Sequence, residues 1–473
     1  MKFYFSYLVI LIAFLGCKDD KHKTIIDYAY IGGEIINPSA NYVVLSKEEK
    51  VIDTIKLDGR NRFLHKVKHL KEGIYTFKHG VEYQMILLEP RDSVLFRLNT
   101  LDFDESLVFS GRGDKKNNYL INEFLENERE EKYVIKLCQL NPNAYQTHID
   151  SLKDRKVKLY ERFIDKHEPS ELFKKIAQAN IDYSHYSNKE VYPFIHYGRD
   201  KASILKSLPD DFYDYRKHIN YNDEFLSSYH NYNTFLRHSL SNLSLKVHDA
   251  HNTGKPFNRN SLCYNLDKLK LVDSLVTNTA IKDDLLYHFT MNYLSRSKNE
   301  KNNNIILKSY LSKTNSTKGK EKMTGYTYAI NSLKEGSEIP DIELIDLNNE
   351  VVKLSSLTPS TTVVTFWSNV YYKHFKESHF KLKKLRLKYP EVTFISINID
   401  GLGVNKSKKI LEKYNFESSN AYLFKNPKEA TDVLAVYPLT KTIILDKNNK
   451  IENCHTNIFS VYFEKQLLGL LNK

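Results

Sequence analysis

Within the span from Thr362 to Tyr389 an unbroken apolar run, Thr362-Val363-Val364-Thr365-Phe366-Trp367, gives way to a segment of helical period. The run predicts a strand over about Val363 to Trp367, and the following segment predicts a helix from about Tyr372 to Tyr389. The same alternation continues to the end of the chain. Strands are expected near Val392–Ile399, Thr440–Asp446 and Lys450–His455, with helices near Ser407–Tyr414 and Val461–Leu471. A hairpin pattern, Ile342–Asp346 then Val351–Leu354, precedes them, and Gly336 to Pro340 reads as a linker. Residues 336–473 are therefore expected to form an α/β domain.

The rest of the chain carries two other patterns. From Ile25 to about Phe109, short β-branched and aromatic runs alternate with turn signals such as Asn37-Pro38-Ser39 and Asp58-Gly59. That spacing predicts a small antiparallel β-sandwich or barrel over 25–113. Past Ser110-Gly111-Arg112-Gly113 the apolar residues recur at helical spacing, and an α-helical middle region is expected over 114–335. The chain has 473 residues and a formal net charge of +12, with acids and bases interspersed and no long basic block. A solvated basic surface accounts for this charge, and no nucleic-acid partner is expected.

The first residues read as an export signal. Met1-Lys2 is followed by an apolar stretch from Phe3 to Leu15, too short for a comfortable membrane span of about 20 residues. It ends Phe14-Leu15-Gly16-Cys17, which resembles a bacterial lipobox with Phe14 in place of the usual leucine. The resemblance implies a signal peptide over 1–16 and a lipidated Cys17 opening a tether over 17–24. The chain would then be a cell-envelope lipoprotein held at the outer membrane. Lys18-Asp19-Asp20-Lys21 suits surface export and a periplasmic tether about equally. Of four cysteines, Cys138, Cys263 and Cys454 remain, and none forms a C-x-x-C pair.

Residues 336–473 resemble the thioredoxin-like TlpA/ResA group of the redoxin superfamily. The likeness rests on Gly336-x-x-Ile339-Pro340-Asp341, Leu354-Ser355, Phe366-Trp367-Ser368, Glu377 and Ile443-Ile444-Leu445-Asp446-Lys447-x-x-Lys450-Ile451. Ile31-Gly32-Gly33-Glu34-Ile35 and Phe109-Ser110-Gly111-x-Gly113-x-x-x-Asn117-x-Tyr119-Leu120 resemble the β domain fused to such lipoproteins. The resemblance implies thiol–disulfide chemistry at a Trp-Cys-x-x-Cys motif. Register between Phe366-Trp367 and Glu377 puts Tyr371 at the nucleophilic position and His374 at the resolving one. By count from Asp446, the family's cis-proline position falls on Thr440, where a trans bond is expected, with Pro438 two residues too early.

A thiolate at a helix start attacks a disulfide, and a second thiol three residues on releases the product. Tyrosine and imidazole replace neither step. No catalytic residue and no cofactor is therefore expected. Tyr371, Tyr372, Lys373, His374 and Glu377 remain as a binding patch, with His379 nearby, or as a surface helix whose former pocket is filled by aromatic rings. His374 and Glu377, three apart, suit an ion pair better than a metal. His248 and His251 flank Asp249 beside a loop-like Asn252–Pro256. Among 17 histidines such a pair is expected by chance, and no metal is assigned.

The function expected is a redox-inactive scaffold or binding module for a polypeptide partner in the envelope. Two other readings stay open. One is a thiol–disulfide oxidoreductase of the TlpA/ResA type working through a thiol such as Cys454. The other is a glycan- or nutrient-binding lipoprotein using the middle region's tyrosines: Tyr183, Tyr186, Tyr192, Tyr213, Tyr215, Tyr221, Tyr229 and Tyr232.

Overall fold

The computed structural model describes residues 27–48, 50–80, 82–198, 200–251, 256–369, 371–401 and 403–472. The signal-like segment, Cys17 and most of the tether lie outside the described residues. Two compact units divide the chain, 1–123 and 124–473.

The first unit holds eight strands: β1 (Ala29–Ile36), β2 (Tyr42–Lys47), β3 (Lys50–Lys56), β4 (Arg62–Val67), β5 (Gly73–His79), β6 (Glu82–Leu88), β7 (Ser93–Asn99) and β8 (Val108–Arg112). They form two four-stranded sheets, ordered β4-β1-β7-β8 and β3-β2-β5-β6. Side chains on β5 and β7 alternate between buried and less buried, so each sheet turns one face inward. Phe77 of β5 stacks on Phe96 of β7 with centroids 4.4 Å apart, which joins the two inner faces.

The purely antiparallel arrangement expected from sequence needs correction, because β1 and β7 pair in parallel. Between them the chain passes through the other sheet twice, as β2–β3 and then β5–β6, and so returns beside β1 in the same direction. Gly33 permits the close approach: a Cβ there would lie 2.3 Å from the Phe96 carbonyl oxygen. Helix α1 (Asp114–Leu137) starts against this unit. The Asn117 side chain accepts from Leu87 N at 2.7 Å and donates to Leu87 O at 3.0 Å.

The second unit continues through α2 (Pro142–His167), α3 (Glu171–Ile195), α4 (Lys201–Lys206), α5 (His230–His251), α6 (Leu262–Leu275), α7 (Thr279–Leu294), α8 (Glu300–Leu311) and α9 (Thr317–Ser332). Side-chain caps set several of the starts. Asn141 accepts from Ala144 N ahead of Pro142, and Ser170 from Phe173 N. Pro193 does not punctuate as its residue type suggests; it sits near the end of α3, buried.

A seven-stranded sheet follows, built from β9 (Glu343–Ile345), β10 (Val351–Lys353), β11 (Thr362–Trp367), β12 (Thr393–Asn398), β13 (Ala421–Phe424), β14 (Thr442–Leu445) and β15 (Ile451–Thr456). Its helices are α10 (Tyr372–Lys388), α11 (Val404–Lys413), α12 (Pro427–Val433) and α13 (Phe463–Leu471). The strand order is β10-β9-β13-β12-β11-β14-β15. Strands β11 and β12 run parallel, and β14 runs antiparallel to β11 and to β15. With α10 between β11 and β12 and α13 closing the chain, this is a thioredoxin-like topology.

Every residue of β11 is buried, which accounts for its unbroken apolar run. Val364 and Phe366 join a core with Ala329, Ile330 and Leu333 at the end of α9 and with Ala430 and Leu434. Val363, on the opposite face, joins Leu382 and Leu385 of α10 and Phe463 and Leu467 of α13. Strand β13 and helix α12 had no counterpart in the sequence pattern.

Candidate functional site

The turn from β11 into α10 is held from the neighbouring strand. Asp400, just past β12, accepts from Ser368 Oγ at 2.5 Å and from Asn369 N at 2.6 Å. Charge-assisted bonds of this length contribute more than neutral ones. Asp400→Ala is expected to lower the urea-unfolding free energy by about 2 kcal/mol. A loss below about 0.5 kcal/mol, the range of neutral surface changes, would show that the turn holds itself.

Tyr371 stands at the N-cap of α10; it makes no side-chain capping bond and is 60% exposed. No acidic residue lies in the first turn, where Lys373 is exposed. Tyr372 is half-buried and its hydroxyl is hydrogen-bonded to that of Tyr414. His374 is half-buried and meets the Phe459 ring edge-on at 5.9 Å. Burial pushes its imidazole below the usual range, with Glu377 opposing. The close ion pair expected between His374 and Glu377 is absent among the described residues. Glu377 stays exposed, while the His374 ring packs on Phe459.

His379 leaves the patch altogether. It is buried, stacks on Phe416 at 5.0 Å and meets Trp367 edge-on at 5.2 Å. One ring nitrogen pairs with the Phe375 carbonyl at 2.9 Å, and burial holds the imidazole down at about 4. Trp367, Phe375, Leu411 and Phe416 form one cluster behind the helix start, with Tyr372 and Tyr414 packed against it. Aromatic rings thus fill the space beneath α10. Sequence reasoning missed Phe459, which precedes Val461 and Tyr462, 87% and 66% exposed. Its signal was an apolar cluster, Phe459-Ser460-Val461-Tyr462, assigned partly to the last helix.

The proline assignment also needs correction. The cis peptide is Tyr437–Pro438, and Thr440 is not the cis position. Counting back from Asp446 assumed a strand reaching to Thr440, but β14 starts at Thr442. A turn closed by Lys441 N on Pro438 O, 2.8 Å, takes up the two extra residues.

The three described cysteines are free. Cys138 is buried, and burial raises its thiol to about 11. Cys454 is 3% exposed, and its Sγ donates to the Leu333 carbonyl at 2.7 Å. Burial raises its pKa too. Only Cys263 is exposed.

The middle-region tyrosines are drawn inward. Tyr186 and Tyr215 stack at 4.1 Å, and Tyr192 and Tyr232 are fully buried. Their polar ends are consumed internally: Tyr192 on Leu140 O, Tyr232 on Asn220 O and Tyr215 on Glu190. His248 and His251 lie in the last turn of α5, with Cys263 and Asp267 of α6 beside them.

No family model matches the sequence, and no curated protein matches it significantly. Solved structures do match, over about 30% of the chain. The thioredoxin domain of a thiol-disulfide oxidoreductase from Bacteroides vulgatus is 25% identical, covering 30% of this chain and 97% of its own, with a TM-score of 0.24. A provisionally named thiol:disulfide interchange protein DsbE from Chlorobium tepidum is 23% identical, covering 30% and 99%, with a TM-score of 0.26. The C-terminal domain of a provisionally named thiol-disulfide oxidoreductase from Bacteroides thetaiotaomicron is 17% identical, covering 30% and 98%, with a TM-score of 0.26. At these values the likeness says nothing of this chain's chemistry. Among the described residues, no helix is long and apolar enough to cross a membrane.

Proposed function

We propose that the thioredoxin-like part is a redox-silent module that holds a polypeptide partner at the start of α10. The observation that carries this reading is the helix start itself. It presents Tyr371, Lys373 and His374 where disulfide exchange needs a thiolate, and no cysteine lies between Cys263 and Cys454. Exposed Tyr371 and Lys373, with Phe459 against His374, offer rings and a cation for an apolar segment that carries a carboxylate. The partner would act in the cell envelope. Cys17, within Phe14-Leu15-Gly16-Cys17, would carry the lipid that holds the chain to the outer membrane, facing the periplasm or the outside.

The oxidoreductase reading draws no support from Cys454, a buried thiol whose proton is engaged by Leu333 O. The glycan reading draws none from Tyr192, Tyr215 and Tyr232, whose hydroxyls bond inside the helical region.

Two measurements test the proposal together. The purified chain is expected to show no insulin-disulfide reduction above the reductant background, and Cys454→Ser is expected to change nothing. A partner captured from envelope extract is expected to be lost with the Tyr371→Ala/Phe459→Ala double variant while thermal stability is unchanged. Turnover abolished by Cys454→Ser, or capture indifferent to the double variant, would sink the reading.

A further inference from the structure

Two consecutive helices bring four metal-ligating residue types to one point, away from the start of α10. His248 and His251 are three apart in the last turn of α5; Cys263 and Asp267 are four apart at the start of α6. Those spacings put each pair on one helix face. One ligand atom from each residue lies within 4.8 Å of all the others. His251 Nε2 is 2.8 Å and His248 Nδ1 3.2 Å from Asp267 Oδ2. Cys263 Sγ is 3.9 Å from the same oxygen and 3.7 Å from His251 Nδ1.

The frame around them is firm. Ser261 caps α6 through Tyr264 N, and the buried Tyr264 donates from its hydroxyl to Ser241 O of α5 at 2.9 Å. The Tyr264 ring meets His248 edge-on at 5.8 Å. Asp267 and His248 are buried, while His251 and Cys263 face solvent. The Asp267 carboxylate has no lysine or arginine ion pair among the described residues; its close partners are the two imidazoles and the thiol. A buried carboxylate without a full counter-charge is costly, and a divalent cation at this point supplies one.

We propose that His248, His251, Cys263 and Asp267 bind a single zinc-class divalent cation that clips the end of α5 to the start of α6. Two imidazoles, a thiolate and a carboxylate are a borderline-soft donor set. Zinc accepts all three donor types, whereas calcium and magnesium require oxygen ligands. Four protein donors fill a tetrahedral shell, which makes the site a structural one with no open position for a substrate. Binding requires the thiolate, so the Cys263 proton passes to solvent as the metal enters. The site is independent of the function proposed for α10.

The test uses the full chain, purified with a reductant, stripped with a chelator and titrated with cobalt(II) or zinc. Expected are about one cobalt per chain, intense visible bands of a tetrahedral ion and a thiolate-to-cobalt charge-transfer band. Zinc is expected to raise the thermal midpoint. Cys263→Ser is expected to abolish the charge-transfer band. His251→Gln is expected to keep it but to weaken binding by more than about a hundredfold, the most that outer-shell changes cost. Both residues are exposed, so both variants are expected to fold. Cobalt bound without the charge-transfer band, or equally tightly by both variants, would place the metal on other members of the 17 histidines and overturn the proposal. So would no binding at all.

Discussion

Acidification from about pH 7.5 to about pH 5 is expected to destabilise residues 124–473 by several kcal/mol. Five histidines there lie well below the usual imidazole range, burial being the largest cause in each. His238, His288, His379 and His455 are held at about 4 and His185 at about 3. Lys189 and Lys153 add to the effect at His185, Arg237 at His238 and His288, and Lys441 at His455. In the unfolded chain each ring takes its proton near pH 6.5, while in the folded chain it stays neutral down to about 4. The neutral ring's contribution is therefore complete above pH 6.5 and is lost as the pH falls towards 4. At about pH 5 the loss is roughly 2 kcal/mol for each ring, taking 1.36 kcal/mol per pKa unit. Against a typical total of about 5–15 kcal/mol, several such losses bring the fold close to unfolding. Urea unfolding at the two pH values measures the difference. His379→Phe is expected to reduce proton uptake on unfolding at about pH 5 by close to one. Equal stability at both pH values would show that these rings reach water.

Glu190→Ala is expected to cost about 3–5 kcal/mol, the loss seen when one partner of a buried ion pair is removed. Glu190 is fully buried. Its Oε1 accepts from Arg216 Nε at 2.9 Å and from the Tyr215 hydroxyl at 2.9 Å, and its Oε2 pairs with the second guanidinium nitrogen. The Asn242 amide donates to the Glu190 backbone carbonyl at 3.0 Å and to the Tyr213 hydroxyl at 2.8 Å. The guanidinium lies 3.6 Å from the Tyr213 ring centre. Without the carboxylate, the arginine keeps its ring contact but loses its counter-charge in a largely buried setting. Glu190→Met with Arg216→Met removes both charges and is expected to recover most of the loss. A double variant as unstable as the single one would mean that packing, not charge, governs this point.

The regions that read most clearly in the sequence are those where one local pattern decides. The apolar run before Trp367 marked β11 within a residue, because a strand buried on both faces carries no polar alternation. The helix from Tyr372 was equally plain. The parallel pairing of β1 with β7 was not readable, since it depends on how many times the chain crosses between sheets. Strand β13 has only four residues, too short to show a period. Thr440 was misplaced because a count along the chain cannot see a turn between Pro438 and β14. At the candidate site, Tyr371, Lys373 and His374 stand at the helix start that the local pattern marks, while the ring plug from Tyr414 and Phe416 arrives from another helix end. The cluster around Asp267 was half visible as His248 and His251. Cys263 and Asp267 join it only because α5 and α6 pack together.

Helix α9 sets a limit on how this chain can be cut. Ala329 and Ile330 near its end, and Leu333 just after it, share a core with Val364 and Phe366, and Leu333 accepts the Cys454 thiol. Tyr326 reaches the Tyr437 carbonyl at 3.2 Å. A fragment trimmed at Gly336 would strip one wall from the sheet and turn bare hydrocarbon to water, so it would tend to clump where the longer piece stays dissolved. The packed unit therefore begins before Gly336, within α9.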